Sequence, residues 1–167
     1  DRVKEIVDSL PFPFLAQNMR DTEFEDPVFE PMKIFEKGGV KVAVIGQAYP
    51  YTAIANPRWM FPKWQFGLRE EDLQKQVEEA RAQGAGLVIL LSHHGFDIDR
   101  KMAGRVKGID IILTAHTHDA LPEPVKVGRT LLIASGCCGK FLSRIDIDVA
   151  GGEMKGVRHR LIPIFSD

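Results

Sequence analysis

The sequence predicts a layered α/β domain, and three features predict it. First, the runs VKVAVIG (40–46), LVILLS (87–92) and IDIILTA (109–115) are almost continuously apolar, as strands covered on both faces require. Second, helical patterns fill the gaps between them. Third, a β-rich tail with its own Gly-Gly turn closes the chain, completing a strand–helix–strand–helix–strand order followed by strands.

The elements run in order along the chain. VKEIVDSL spaces Val3, Ile6, Val7 and Leu10 at helical intervals, and Pro11 stops the helix. FPFLAQNM reads as a short buried strand ending near Asn18. MKIFEKGGVKVAVIGQA is two β-rich runs around Gly38-Gly39, the composition of a tight hairpin. Residues 47–67 break the pattern with three prolines, both tryptophans and both tyrosines, and read as a long ordered surface loop. Its aromatic content argues against disorder. Such a loop is either a flap over an apolar face or a platform for a substrate or partner. LREEDLQKQVEEARAQG is an amphipathic helix with Leu73, Val77 and Ala80 inward and Gly84 as its stop. DRKMAGRVKG reads as a short helix, and TLLIASG and the segment 143–164 as strands, the last pair turning at Gly151-Gly152.

Composition excludes several classes. The 167 residues suffice for one compact domain, with 44% hydrophobic and 27% charged residues and no low-complexity tract. A net charge of −1 gives no basic footprint for nucleic acid and no acidic tail. No apolar run reaches the length of a membrane span, and DRVKEIVDSL does not resemble a signal peptide. The two cysteines, Cys137 and Cys138, are neighbours, so no disulfide framework is implied. They read as small residues of a tight turn, with a redox role as the alternative.

Four of the five histidines end two of the apolar runs: His93 and His94 in SHHG, His116 and His118 in AHTH. Strands of an α/β sheet deliver the residues at their carboxyl ends to one edge, where ligands bind. If the two strands are neighbours, His93, His116 and His118 can converge, and imidazole is a common ligand for zinc, manganese and iron. In a strand-like H-x-H both rings face one way. His94 alternates away from His93 and reads as supporting or substrate-facing. His159, in VRHRLI, reads as a solvated residue. Asp119 is placed to orient an imidazole from behind. Asp97 and Asp99 read as capping residues of the next helix.

LLSHHG and TAHTHDALPEPV, with LIASGCCGKFLSRIDIDV and RLIPI after them, resemble the second half of the calcineurin-like metallophosphoesterase domain, in its 5′-nucleotidase branch. The resemblance implies an αββα sandwich of which residues 1–167 form the C-terminal half of a catalytic domain. It implies that His93 and His116 hold one metal and His118 a second. It sets Gly136, Gly139, Lys140 and Asp146 beside the site as a family feature. Ala115 stands where the family usually has glycine. The family motifs D-x-H, G-D-x-x-D and G-N-H-D/E, which supply a bridging aspartate, an asparagine ligand and a catalytic histidine, do not occur in these residues. No catalytic residue is therefore assigned, and this chain alone is expected to hold metal weakly and to turn over poorly.

Within that branch, the loop IGQAYPYTAIANPRWMFPKWQFGLREEDLQ is similar to the SoxB family of periplasmic sulfur-oxidation thiosulfohydrolases. That resemblance implies two Mn2+ ions, with Zn2+ or another divalent metal as the alternative. It implies hydrolysis of a cysteine-S-thiosulfonate on the carrier SoxYZ, releasing sulfate. Arg58 is then a candidate partner for the sulfonate, and Trp59, Tyr49, Tyr51 and Trp64 candidates for lining the slot that takes the carrier's arm. The alternatives are a 5′-nucleotidase or phosphodiesterase using the same metals, and a non-catalytic metal-binding domain. A half-sandwich would also expose an apolar sheet face able to self-associate.

Overall fold

The computed structural model describes residues 2–165. A six-stranded mixed sheet runs in the order β2-β3-β5-β6-β8-β7. It comprises β2 (Met32–Lys37), β3 (Val40–Gln47), β5 (Leu87–Ser92), β6 (Ile111–Thr114), β7 (Val125–Val127) and β8 (Thr130–Ile133). The inner four strands, β3, β5, β6 and β8, are parallel, and β2 and β7 flank them antiparallel. The predicted α/β class and the hairpin at Gly38-Gly39 are both present. Strand β7, which the local pattern of the sequence does not single out, pairs with β8 across the turn at Gly128-Arg129.

Helices α3 (Glu70–Ala82) and α4 (Phe96–Arg105) cross over between parallel strands and pack on β5, β6 and β8. Leu73, Val77 and Ala80 are the buried residues of α3, as their spacing predicts. They close a core with Ala43, Ile45, Val88, Leu90, Met102, Ile112 and Leu132. Gly84, at φ +86°, ends α3, and the Ala85 amide turns back to the Ala80 carbonyl at 3.0 Å. Helix α4 starts three residues before the expected stretch, with Gly95 as its N-cap.

The opposite side is less covered. The hairpin of β9 (Phe141–Ala150) and β10 (Glu153–Pro163) forms a separate two-stranded sheet, turning at Gly151-Gly152 as expected. A cleft lined by Val42, Leu87, Ile145 and Ile147 separates it from the main sheet. Leu91, in central strand β5, keeps 42% of its surface exposed. Helix α1 (Arg2–Asp8) forms where predicted and buries none of its residues.

Two segments depart from the sequence-based expectation. Residues 12–19 make no named strand; Leu15 forms one isolated bridge to Glu30. The part from Ala16 to Met19 is buried all the same, because the segment crosses the end of β3 so closely that a Cβ on Gly46 would lie 2.0 Å from the Leu15 carbonyl oxygen. The Ala16 and Gln17 amides donate to the Glu30 and Gly46 carbonyls, and the Gln17 and Asn18 side chains add bonds of their own, so the segment is anchored like a strand without forming a regular ladder. The aromatic loop is also more structured than predicted. It contains α2 (Thr52–Ala55), a 3-10 turn (Arg58–Met60) and β4 (Trp64–Gln65), which pairs with β1 (Arg20–Asp21).

Candidate metal centre at the strand ends

The parallel strands all point the same way, so the residues at their carboxyl ends meet at one edge. β5 and β6 are direct neighbours, with Ser92 opposite Thr114 at their last register pair. His93 comes directly after the first and His116 two residues after the second, and their rings meet edge to face at 5.2 Å between centroids. Tyr49, two residues beyond β3, stacks on His116 at 4.1 Å and 25° and meets His93 edge-on at 6.3 Å. Tyr51 packs edge-on against Tyr49. The edge is thus an aromatic and imidazole cluster built from three adjacent strand ends.

The H-x-H turn is not strand-like, which corrects the expected reason for its orientation. His116 and His118 both occupy the left-handed region, at φ 79° and 61°. Such conformations cost on the order of 1–3 kcal/mol for a non-glycine residue and concentrate at functional sites. The turn is held from two sides. The Ala115 amide donates to the Ser92 carbonyl at 2.9 Å. The Thr117 hydroxyl donates to Asp119 at 2.5 Å and accepts the Phe96 amide at 3.1 Å, capping α4 from a distance. Asp119 therefore engages Thr117, where an imidazole contact was expected. Gly95 permits the approach: at φ 97°, a Cβ there would lie 3.0 Å from the Thr117 methyl carbon. Ala115 itself has no positive φ, so its replacement of glycine carries no left-handed strain.

Beneath the cluster lies a polar clamp that sequence patterns did not reveal. Asp99 does not cap α4; it is fully buried. Its carboxylate accepts the Ser92 hydroxyl at 2.7 Å and the Thr114 hydroxyl at 2.5 Å, cross-linking the last residues of β5 and β6. The signal available for it is slight: an aspartate one turn into a helix, after a strand ending in serine. His94 turns inward beside it, 1% exposed, with Nδ1 3.3 Å from Asp99, and so supports the edge and does not face a substrate. A second clamp fixes the aromatic loop. Buried Asn18 donates to the carbonyls of Ala48 and Gly67, both at 2.8 Å, and accepts the Ala48 amide, tying the two ends of the loop together. Gln17 bonds to Gln47, whose backbone carbonyl accepts the His93 amide at 3.0 Å.

The loop candidates separate. Trp64 is buried at 8% exposure, with its ring against Phe29 at 5.8 Å beside Ala16 and Met19, so it is a core residue and not part of a slot. Trp59 is 78% exposed, with Ile54 and Met60 also open to solvent. Arg58 donates to the Trp64 carbonyl at 3.4 Å. His159 is half-buried, not solvated, and shares a hydrogen bond with the Ser143 hydroxyl at 3.1 Å.

Comparison with known proteins sharpens this picture. No family model matches the chain. Sulfate thiohydrolase SoxB of Thermus thermophilus superposes with a TM-score of 0.94 at 40% identity, over 97% of this chain and 30% of its own. The calcineurin-like phosphoesterase YfkN of Bacillus subtilis shares the fold, with a TM-score of 0.81 at 21% identity over 96% of this chain and 58% of its own. The chain belongs to the calcineurin-like metallophosphoesterase family. A 5′-nucleotidase from Naja atra venom is 31% identical over 70% of this chain and 22% of its own, and protein UshA of Yersinia enterocolitica 27% identical over 92% and 33%. The chain therefore spans about a third or less of these curated relatives.

The metallophosphoesterase family implies a divalent metal, and the residues present fit one side of such a site. Burial first, then the charges of His116, His118 and His94, push His93 below the ordinary imidazole value, although the ring keeps an open edge. Neutral imidazole is the form that binds metal. The donors are nitrogen only: among the described residues, no group of three or more His, Cys, Asp or Glu side chains is gathered closely enough to hold an ion. His93 and His116 are paired, and His118 lies within electrostatic reach of His93.

Proposed function

We propose that this chain is part of a SoxB-type thiosulfohydrolase, which hydrolyses a cysteine-S-thiosulfonate on the carrier SoxYZ in the periplasm and releases sulfate. The supporting observation is the likeness to SoxB across 97% of the chain, including the aromatic loop whose Tyr49 stacks on His116. In this reading residues 1–167 are the back half of the catalytic domain. His93, His116 and His118 supply nitrogen ligands, and the remaining ligands come from outside these residues.

A bound pair of divalent ions, manganese in this proposal, supplies Lewis-acid charge stabilisation and an acidified water. The chain's own residues would hold and order one side of the site. Tyr49 orients the His116 ring by stacking on one of its faces. Asp99 fixes the spacing of the two strand ends through Ser92 and Thr114. The exposed face of Trp59, with Ile54 and Met60, offers an apolar surface for the extended arm of a carrier, and the nearby Arg58 a cation for its sulfonate.

The same fold also serves 5′-nucleotidases, and several curated relatives carry that name. One assay separates the two readings. The whole protein, with manganese added, is given a cysteine-S-thiosulfonate peptide and a nucleoside 5′-monophosphate, and sulfate and phosphate release are measured with and without a chelator. Metal-dependent sulfate release with little phosphate supports the proposal. Phosphate release alone assigns the protein to the nucleotidases.

A further inference from the structure

The loop after β8 holds both cysteines in an unusual conformation. The Lys140 amide donates to the Cys137 carbonyl at 3.1 Å, closing a four-residue turn from Cys137 to Lys140. Its two central residues, Cys138 and Gly139, both have positive φ, at 57° and 67°, as a type I′ turn demands. Gly139 adopts this freely; Cys138 does not, and a side chain held in that region costs on the order of 1–3 kcal/mol. A glycine or asparagine at 138 would relieve the cost. The strained residue is the more exposed of the two free thiols, and Cys137 is half-covered behind it.

The two thiols are also asymmetric. Cys137 is the partly covered thiol, pushed up by hydrogen bonding to Cys138 and by burial, while the Lys140 ammonium acts in the opposite direction. The turn is not isolated. The Gly136 amide donates at 2.7 Å to the carbonyl of Asp119, the residue directly after the H-x-H, so the dithiol sits on the same edge as the histidines.

We infer that Cys137 and Cys138 form a vicinal-dithiol exchange site that takes disulfides as its substrates. Cys138 attacks first as its thiolate. It displaces R′S⁻ from R–S–S–R′, which takes up the proton Cys138 lost, and leaves Cys138–S–S–R. Cys137 then releases its proton to the departing RS⁻ and attacks the Cys138 sulfur, closing a disulfide between neighbours. Two cysteine thiols are oxidised, and one disulfide is reduced to two thiols. Neighbouring Cα atoms lie about 3.8 Å apart across a trans peptide, below the roughly 4.4–6.8 Å that disulfides prefer. The product is therefore strained, and strained disulfides are the readily reversed ones. This inference stands on the turn geometry and does not depend on the proposed hydrolase reaction.

The test uses oxidised glutathione as the disulfide and reads the intact mass after quenching with an alkylating reagent. The chain is expected to lose two hydrogens, retain no glutathione and resist alkylation at both cysteines. Cys137→Ser should retain one glutathione on Cys138. Cys138→Ser should be labelled more slowly than Cys137→Ser, because the thiol it leaves is the less exposed of the two. Stable glutathione on either cysteine of the unaltered chain, or equal labelling of the two single variants, overturns the assignment. The mass of the unaltered chain decides the question even if a variant folds poorly.

Discussion

Under α3 and α4 the sheet is held by apolar side chains that obey a single helical period; at the edge where β3, β5, β6 and β8 end, it is held by clamps that obey none. On the first side, Leu73, Val77 and Ala80 join Ile45, Val88 and Leu90 in one hydrophobic cluster. On the second, Asn18, Gln17, Asp99 and Thr117 bond to chain segments well separated in sequence. The difference teaches where specificity resides. Apolar packing tolerates volume-conserving exchange. A buried polar clamp demands directional geometry and leaves orphaned groups when one partner goes. The imidazole cluster is built where the second kind of bonding dominates.

The sharpest way to break that comparison is Gly46→Ala. The new Cβ would fall 2.0 Å from a backbone oxygen of the crossing segment, so no rotamer change can relieve it. We expect a loss of more than about 4 kcal/mol in urea unfolding, above the usual range for a single substitution. That exceeds what Ile45→Val, one residue away on the packed face, should cost at about 1 kcal/mol. A loss below that of Ile45→Val would mean residues 12–19 are not clamped to β3 in solution.

The two tryptophans give the next largest contrast. Trp64→Ala should cost about 3–5 kcal/mol as a core truncation. Trp59→Ala should change stability by less than about 0.5 kcal/mol, as surface substitutions do. Under the proposed function, Trp59→Ala should instead raise KM for carrier-bound thiosulfonate while sparing a small free thiosulfonate. Equal stability losses for the two tryptophans would erase the distinction between the loop's anchor and its exposed face.

Asp99→Asn comes next. An amide can keep one hydroxyl partner as acceptor and the other as donor, so the loss should be about 1–2 kcal/mol, against about 3 kcal/mol for Asp99→Ala. Divalent-metal affinity, read by calorimetry on the whole protein, should fall in the same order, because Ser92 and Thr114 end the strands that carry His93 and His116. Unchanged affinity in Asp99→Ala would detach the clamp from the site.

These substitutions also show how much the sequence disclosed. The parallel strands, α3 with its three buried residues, both Gly-Gly hairpins and the two histidine-bearing strand ends could be read, because each rests on local periodicity or a turn residue. Trp64 and Asp99 could not. An exposed and a buried tryptophan have the same letter, and only the pairing of β4 with β1 decides between them. Asp99 looked like a cap because caps are local; its true partners lie 7 and 15 residues away. The left-handed backbone at His116 and His118 was equally invisible, since H-x-H fits a strand as well as a turn.

The smallest effect probes the same edge from its periphery. Asp21 ends β1, the strand that anchors the return of the aromatic loop through β4. Its carboxylate accepts the amides of Glu23, Phe24 and Asp26 at 2.8, 2.7 and 2.7 Å. These bonds, the one from Phe24 foremost, hold it below the ordinary aspartate value of 3.8. A depressed folded-state pKa means the unfolded chain binds the proton more readily, so the contribution is present above the unfolded value and is lost as pH falls through the folded one. The amide resonances of Phe24 and Asp26 should therefore titrate with a midpoint below 3.8, and exchange faster once it is passed. Asp21→Asn should remove that titration and leave the amides of β5 and β6 unmoved. If the β5 and β6 amides shifted with it, the edge would be a single cooperative network, not two separate clamps.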